Sequence, residues 1–123
     1  MPAAGPHPID IRLHRASRVM EVAFDDGTRF KMPCEYLRVY SPSAEVRGHG
    51  PGQEVLQVGK ENVNITAIEP VGNYAVKLYF DDGHNTGIYS WDWLYKLGTQ
   101  QEARWQDYIA QLAKAGYQRK IST

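Results

Sequence analysis

A lone cysteine, no surplus of either charge and no long apolar run are the conspicuous shortages of this 123-residue sequence, and each closes off a class of protein. Cys34 has no second thiol to pair with, so an internal disulfide is excluded. Fourteen basic residues balance fourteen acidic ones. That balance leaves no broad electrostatic footprint for nucleic acid or an anionic membrane surface, although it permits a local patch. No stretch approaches the roughly 18 apolar residues of a membrane span. Residues 1–15 carry Pro2, Pro6 and Pro8 in place of the apolar centre of a signal peptide. The expectation is a cytoplasmic chain that binds neither membrane nor nucleic acid. Gly-x-Ser-x-Gly and Ser-x-x-Lys are missing, so nucleophilic catalysis has no visible pattern. Also missing is a His-x-Asp/Glu with a distal histidine, which an iron oxygenase would need.

What is present suits one core, with 42% hydrophobic and 23% charged residues in a chain of ordinary domain length. Ile9, Ile11 and Leu13 alternate with Asp10 and Arg12, the period of a half-buried strand. Met20, Val22 and Phe24 lead into Asp25-Asp26-Gly27-Thr28 and return through Phe30 and Met32, which reads as a hairpin with Gly27 in the turn. A strand over 63–71 turns at Gly72-Asn73 into Tyr74, Val76, Leu78 and Phe80. A second hairpin then turns through Asp81-Asp82-Gly83-His84 and returns to Tyr89. The repeated Phe-Asp-Asp-Gly, followed by Glu35-Tyr36-Leu37 in one case and Asp92-Trp93-Leu94 in the other, fits an internal duplication. It fits equally the plain fact that Asp-Asp-Gly makes good turns. Ser90 is placed to cap a helix over 91–97 that Gly98 ends, and Thr99 to Glu102 has the form of a capping box for an amphipathic helix to about Ala115, with Gly116 beyond. From Ser41 to Gly52 there is no steady period, and a long loop is predicted.

Each chemical motif has a plainer reading beside it. Gly48-x-Gly50-x-Gly52 near Arg38, Arg47 and Lys60 has the makings of an anion cradle, but Pro51 removes a backbone donor and no Gly-Lys-Ser/Thr follows, which favours a flexible loop. His7, His14, His49 and His84 with Asp81, Asp82 and Asp92 show no metal-ligand spacing, and His84 reads equally as a turn residue. Cys34 reads as a buried structural thiol. Of the aromatics near the C-terminus, Trp91 and Tyr95 share a helix face with Leu94, so Trp93 is the one expected to be exposed.

Taken together, Phe24-Asp25-Asp26-Gly27, Leu37-Arg38 and Phe80-Asp81-Asp82-Gly83-His84 running on through Gly87-Ile88-Tyr89-Ser90-Trp91 to Leu94 resemble the gamma-butyrobetaine hydroxylase-like N-terminal domain family over roughly residues 9–98. The resemblance implies a small domain found before oxygenase barrels, on some iron–sulfur cluster carriers and alone in bacteria; no barrel accompanies it here, so hydroxylase activity is not implied. In zinc-bearing members three loop cysteines and the histidine after the second Phe-Asp-Asp-Gly hold the metal. The matching positions here are Ser41, Ser43, Val46 and His84, of which only the histidine is a good ligand, so no structural zinc is expected. The serines are expected instead to accept backbone N–H groups and hold turns.

The sequence therefore predicts an α+β fold, an antiparallel sheet built from two similar β-hairpins with C-terminal helices packed on one face. Its parts are a flexible stretch over 1–8, the family-like domain over 9–98 and a helical extension over 99–123. The expected role is a non-catalytic protein-interaction or accessory module, linked through the family to cluster carriers or oxidoreductases. The alternative is a small-ligand or labile-metal binder using the 41–52 loop with His84, His49 and Asp82. Ser41, Ser43, Arg47, His49, His84 and Trp93 are the candidate ligand- or partner-binding residues, with no catalytic residue and no cofactor, and a protein as the expected partner.

Overall fold

Alternating apolar residues write six strands. In the computed structural model, which describes residues 5–47 and 55–121, they form two antiparallel three-stranded sheets ordered β1-β2-β3 and β4-β5-β6. The first sheet takes β1 (Pro8–His14), β2 (Val19–Phe24) and β3 (Arg29–Pro33), and runs directly into α1 (Cys34–Val39). After α2 (Ala44–Arg47) the second takes β4 (Ile65–Val71), β5 (Ala75–Phe80) and β6 (Ile88–Ser90), and runs directly into α3 (Trp91–Thr99) and then α4 (Gln101–Lys114). The hairpins do not share one continuous sheet, and each closing strand passes straight into a helix. Residues 1–4 of the stretch expected to be flexible lie outside the described residues. Farther along it, the His7 N–H donates to Asp25 at 3.1 Å and the Asp25 N–H donates back to the His7 carbonyl at 2.9 Å, tying that segment to the first turn.

The two halves are copies of one β-β-β-α unit. In each, the Phe carbonyl accepts from the turn glycine at 3.1 Å and that glycine has φ +89°, at Gly27 and again at Gly83. The second aspartate of each turn accepts the N–H two residues on, Asp26 from Thr28 at 3.0 Å and Asp82 from His84 at 3.1 Å. Each first strand also carries a register shift near its start. The halves then reach across to one another. Tyr36 Oη on α1 donates to the Leu97 carbonyl at 2.6 Å, and Trp93 Nε1, the equivalent position on α3, donates to the equivalent Tyr40 carbonyl at 3.0 Å. Likewise Tyr95 on α3 donates to Asp26 in the first turn at 2.6 Å, and Arg38 on α1 donates to Asp82 in the second at 2.9 Å. Such reciprocity is what a duplication requires and what a chance recurrence of good turns does not supply.

Burial follows this arrangement. Met20, Val22, Phe24 and Met32 from the first sheet meet Ile65, Val76, Leu78 and Phe80 from the second, with Tyr36, Leu37, Leu94 and Leu97 from α1 and α3. Ser90 caps α3 as expected, its Oγ accepting from Trp93 N at 3.1 Å. Gly98 does not end that helix, which continues to Thr99; a Cβ at Gly98 would sit 2.4 Å from the Phe30 ring, so glycine is there for close packing. The Thr99 hydroxyl is consequently spent backward on the Lys96 carbonyl, and the predicted capping box does not form: Gln100 precedes α4 with no side-chain cap. The α4 residues Tyr108 and Leu112 make a second small core with Val39 at the end of α1. Gly116 follows with φ +77°. The tail beyond it returns to α1, where buried Glu35 accepts from Tyr108 Oη at 2.7 Å and from Arg119 Nε at 2.8 Å.

Candidate functional site

Loop, turn and helix bring the sequence-predicted residues together at the end of α1. The Ser41 hydroxyl meets His84 Nε2 at 2.9 Å and accepts from the Ser43 N–H at 3.2 Å; Ser43 Oγ in turn accepts from the Glu45 N–H at 3.2 Å. These are the turn-holding serines expected from the sequence. Thr86 gives its proton to Glu45 at 2.7 Å, so Ser43 is the donor in its own 2.7 Å bond to Thr86. Val46 is buried beside them. His49 and the glycines at 48, 50 and 52 lie outside the described residues.

Serine, imidazole and acid stand here in the order used by hydrolases, yet the geometry does not assemble a nucleophile. Ser41 is only 1% exposed. Glu45 lies 3.9 Å from His84 Nδ1, beyond hydrogen-bond reach. Burial, reinforced by the Arg38 charge, pushes the His84 pKa down and favours the neutral ring. On the other side of the turn, Asp82 accepts from Arg38 Nε at 2.9 Å and Lys60 Nζ at 2.7 Å. Burial alone would raise its carboxyl, but these donors and the His84 amide hold it at about 2. Asp82 and His84 are thus consumed within the fold, and Arg38 and Lys60, two of the cations weighed for an anion cradle, are instead bound to a carboxylate of the chain itself. Among the described residues no three histidine, cysteine or acidic side chains converge as metal ligands. Cys34 is fully buried as expected, its thiol raised to about 11 by burial.

The open feature lies next to this cluster. A cleft of about 650 Å³ runs between the end of α1, α2, residues 55–57, α3 and α4. Trp93 lines it and is half-buried, not the exposed aromatic expected, because its indole N–H is bound to Tyr40 and two guanidiniums stand over its ring. The Arg47 Cζ is 5.4 Å and the Arg104 Cζ 5.0 Å from the ring centroid, and Arg104 also lies 5.3 Å from the Tyr40 ring. Lys96, Ser41 and the rim residues Val55 and Leu56 complete the part of the wall that matters here. Arg47 and Trp93 were legible as candidates; Tyr40, Lys96 and Arg104 were not. Arg104 has no motif around it, and only the packing of α4 across α1 brings it to Trp93.

Comparison with protein families matches residues 11–95 to the family described as gamma-butyrobetaine hydroxylase-like, N-terminal. The chain belongs to this family. A search of curated proteins found no match. Two structures determined by NMR in solution are similar over nearly the whole chain. One is 46% identical over 98% of this chain and 94% of its own, with a TM-score of 0.82; the other is 50% identical over 100% and 98%, with a TM-score of 0.81. A 1.93 Å crystal structure from Acidithiobacillus ferrooxidans, of a protein of unknown function in the DUF971 family, is 42% identical over 75% of this chain and 92% of its own, with a TM-score of 0.64. The two NMR structures extend the likeness through α4, beyond the stretch that defines the family.

Within the gamma-butyrobetaine hydroxylase-like N-terminal family, the four positions implied for zinc do converge in this member, but the groups they present do not fit the ion. Two neutral hydroxyls and a valine replace thiolates, and the one imidazole nitrogen in position is hydrogen-bonded to Ser41. A Cβ at Gly87 would lie 2.4 Å from Ser41 Oγ, so the cluster is packed closed. In this family member, hydrogen bonds occupy the place of the metal. The described residues also contain no helix long and apolar enough to cross a membrane.

Proposed function

We propose that this protein is a non-catalytic interaction module that receives a segment of a partner protein in the cleft beside Trp93. The observation that carries the reading is the wall itself, in which Trp93 and Tyr40 offer aromatic surface while Arg47, Lys96 and Arg104 pair with no acid among the described residues. Aromatic and arginine side chains are the ones that dominate protein-binding hot spots. A chemistry that transforms a small molecule would call for an activated nucleophile facing the cleft, and the candidate in its wall, Ser41, is 1% exposed and has its hydroxyl bonded to His84. Iron–sulfur cluster carriers and oxidoreductases are the first partners to test, because the family resemblance links such domains to them. Cytoplasmic residence belongs to the same proposal and is checked by cell fractionation.

The test is native mass spectrometry of the protein purified gently from its host, alongside an Arg47→Glu/Arg104→Glu variant. A protein retained stoichiometrically by the wild type and lost from a variant with an unchanged melting temperature supports the module. A small molecule retained in its place, or a partner that both forms keep equally, sinks it.

A further inference from the structure

We infer that the segment taken by this cleft is acidic, its carboxylates bound by Arg47, Arg104 and Lys96 and an apolar side chain beside them resting on Trp93 and Tyr40; this rests on the interaction-module reading. The chain as a whole is electrically balanced, with fourteen residues of each sign, yet among the described residues lining the cleft three are cations and one, Asp107, is an acid. Arg38 and Lys60 are neutralised by Asp82, Arg119 by Glu35 and Arg29 by Glu21. Arg47, Lys96 and Arg104 form no ion pair among the described residues, and what distinguishes them from other unpaired cations such as Lys31, Lys77 and Lys114 is that all three line one cleft.

Their chemistry favours carboxylates. A guanidinium holds its N–H donors in a planar fork that matches the two oxygens of a carboxylate. Arg104 commits its Nε to Gln100 at 2.8 Å, and no bond among the described residues occupies its terminal nitrogens. The aromatic faces and Val55, which is 51% exposed at the rim, supply the apolar complement. A phosphodiester strand fits less well. Its charges recur along a continuous track, whereas these cations form one cluster beside Asp107 in a chain with no net charge.

The experiment titrates ¹⁵N-labelled full-length protein with three peptides of equal length and leucine content whose polar positions are Glu, Gln or Lys. The indole N–H signal of Trp93 and the Nε–H signal of Arg104 report on the cleft; those of Trp91 and Trp105 act as internal controls. The Glu peptide is expected to shift the cleft signals at concentrations roughly tenfold below those the Gln peptide needs, and to lose that advantage at about 1 M salt, where the Debye length is about 3 Å. In Arg47→Glu/Arg104→Glu the preference should reverse toward the Lys peptide. The salt titration of the wild type decides the matter by itself should that variant fold poorly. Equal binding of Glu and Gln peptides overturns the acidic assignment while leaving an apolar interaction module standing. Shifts confined to signals away from the cleft, or none from any peptide, overturn it too, and the partner capture described above then shows whether the module reading survives. Displacement of the Glu peptide by a single-stranded oligonucleotide at equal concentration would reassign the cleft to nucleic acid.

Discussion

Asp82 is the residue on which the second turn depends, and its charge is its contribution. Its carboxyl is held at about 2, below the unfolded value of about 3.9. Stability from this group is therefore complete above the unfolded value and is lost as pH falls through about 2. Glu21, bound by His14 and Arg29, is also held near 2 and adds to the same acid limb. Asp82→Asn should thus lower the melting temperature at neutral pH and flatten, without abolishing, its fall below about pH 4; an unchanged limb would rule out the Arg38–Asp82–Lys60 arrangement. His84 follows the same sense by the opposite chemistry. Its folded pKa is lowered, so the stability of the neutral ring is complete above about 6.5 and declines as pH drops below that value. Titration of its ring signals by NMR should give a midpoint below that of free imidazole. Glu35 is buried with Tyr108 and Arg119 on its oxygens, and Glu35→Ala leaves both partners unmatched. Because Arg119 keeps partial solvent access, the loss should be about 3 kcal/mol in urea denaturation, the low end for breaking a buried ion pair.

Among the elements, α3 shows how packing overrules local preference. Alanine is favoured over glycine inside a helix by about 1 kcal/mol, but at Gly98 the added methyl meets the Phe30 ring at 2.4 Å. Overpacking of that kind costs roughly 1–3 kcal/mol, so Gly98→Ala should destabilise the protein in a thermal melt, and Phe30→Leu should relieve the loss in the double variant. The short helix α2 and the serines before it are held by hydrogen bonds to His84 and Thr86. The melting temperature should accordingly be indifferent to a strong chelator, and a drop on chelation would mean that a metal holds this loop after all. How much of these elements was legible follows from their length. Both hairpins and α4 carry several periods of their pattern, and the sequence places them. The six residues of α1 hold less than two turns, so no periodicity marks them; only the likeness of Glu35-Tyr36-Leu37 to the start of α3 pointed there.

For the whole molecule, the crossed bonds between halves make the fold one cooperative unit. Tyr36 and Tyr95 each anchor their own helix in the other half, as do Trp93 and Arg38. Neither β-β-β-α unit should melt alone. Far-UV circular dichroism, which reports both halves, and tryptophan fluorescence, whose three reporters all follow β6 and include Trp93 at the junction with Tyr40, should follow one coincident transition; an earlier fluorescence change would show that the molecule is not one cooperative unit. The strands, their turns and the weakness of the zinc set were determined by the sequence alone, because alternation, turn glycines and ligand chemistry are local properties. Tertiary structure decided the rest. Whether two similar hairpins share a sheet, which carboxylate binds Arg38 and Lys60, and that Arg104 arrives over Trp93 all depend on how distant segments cross. No local pattern encodes those meetings, since each is settled by the burial of apolar faces from both halves against a common core.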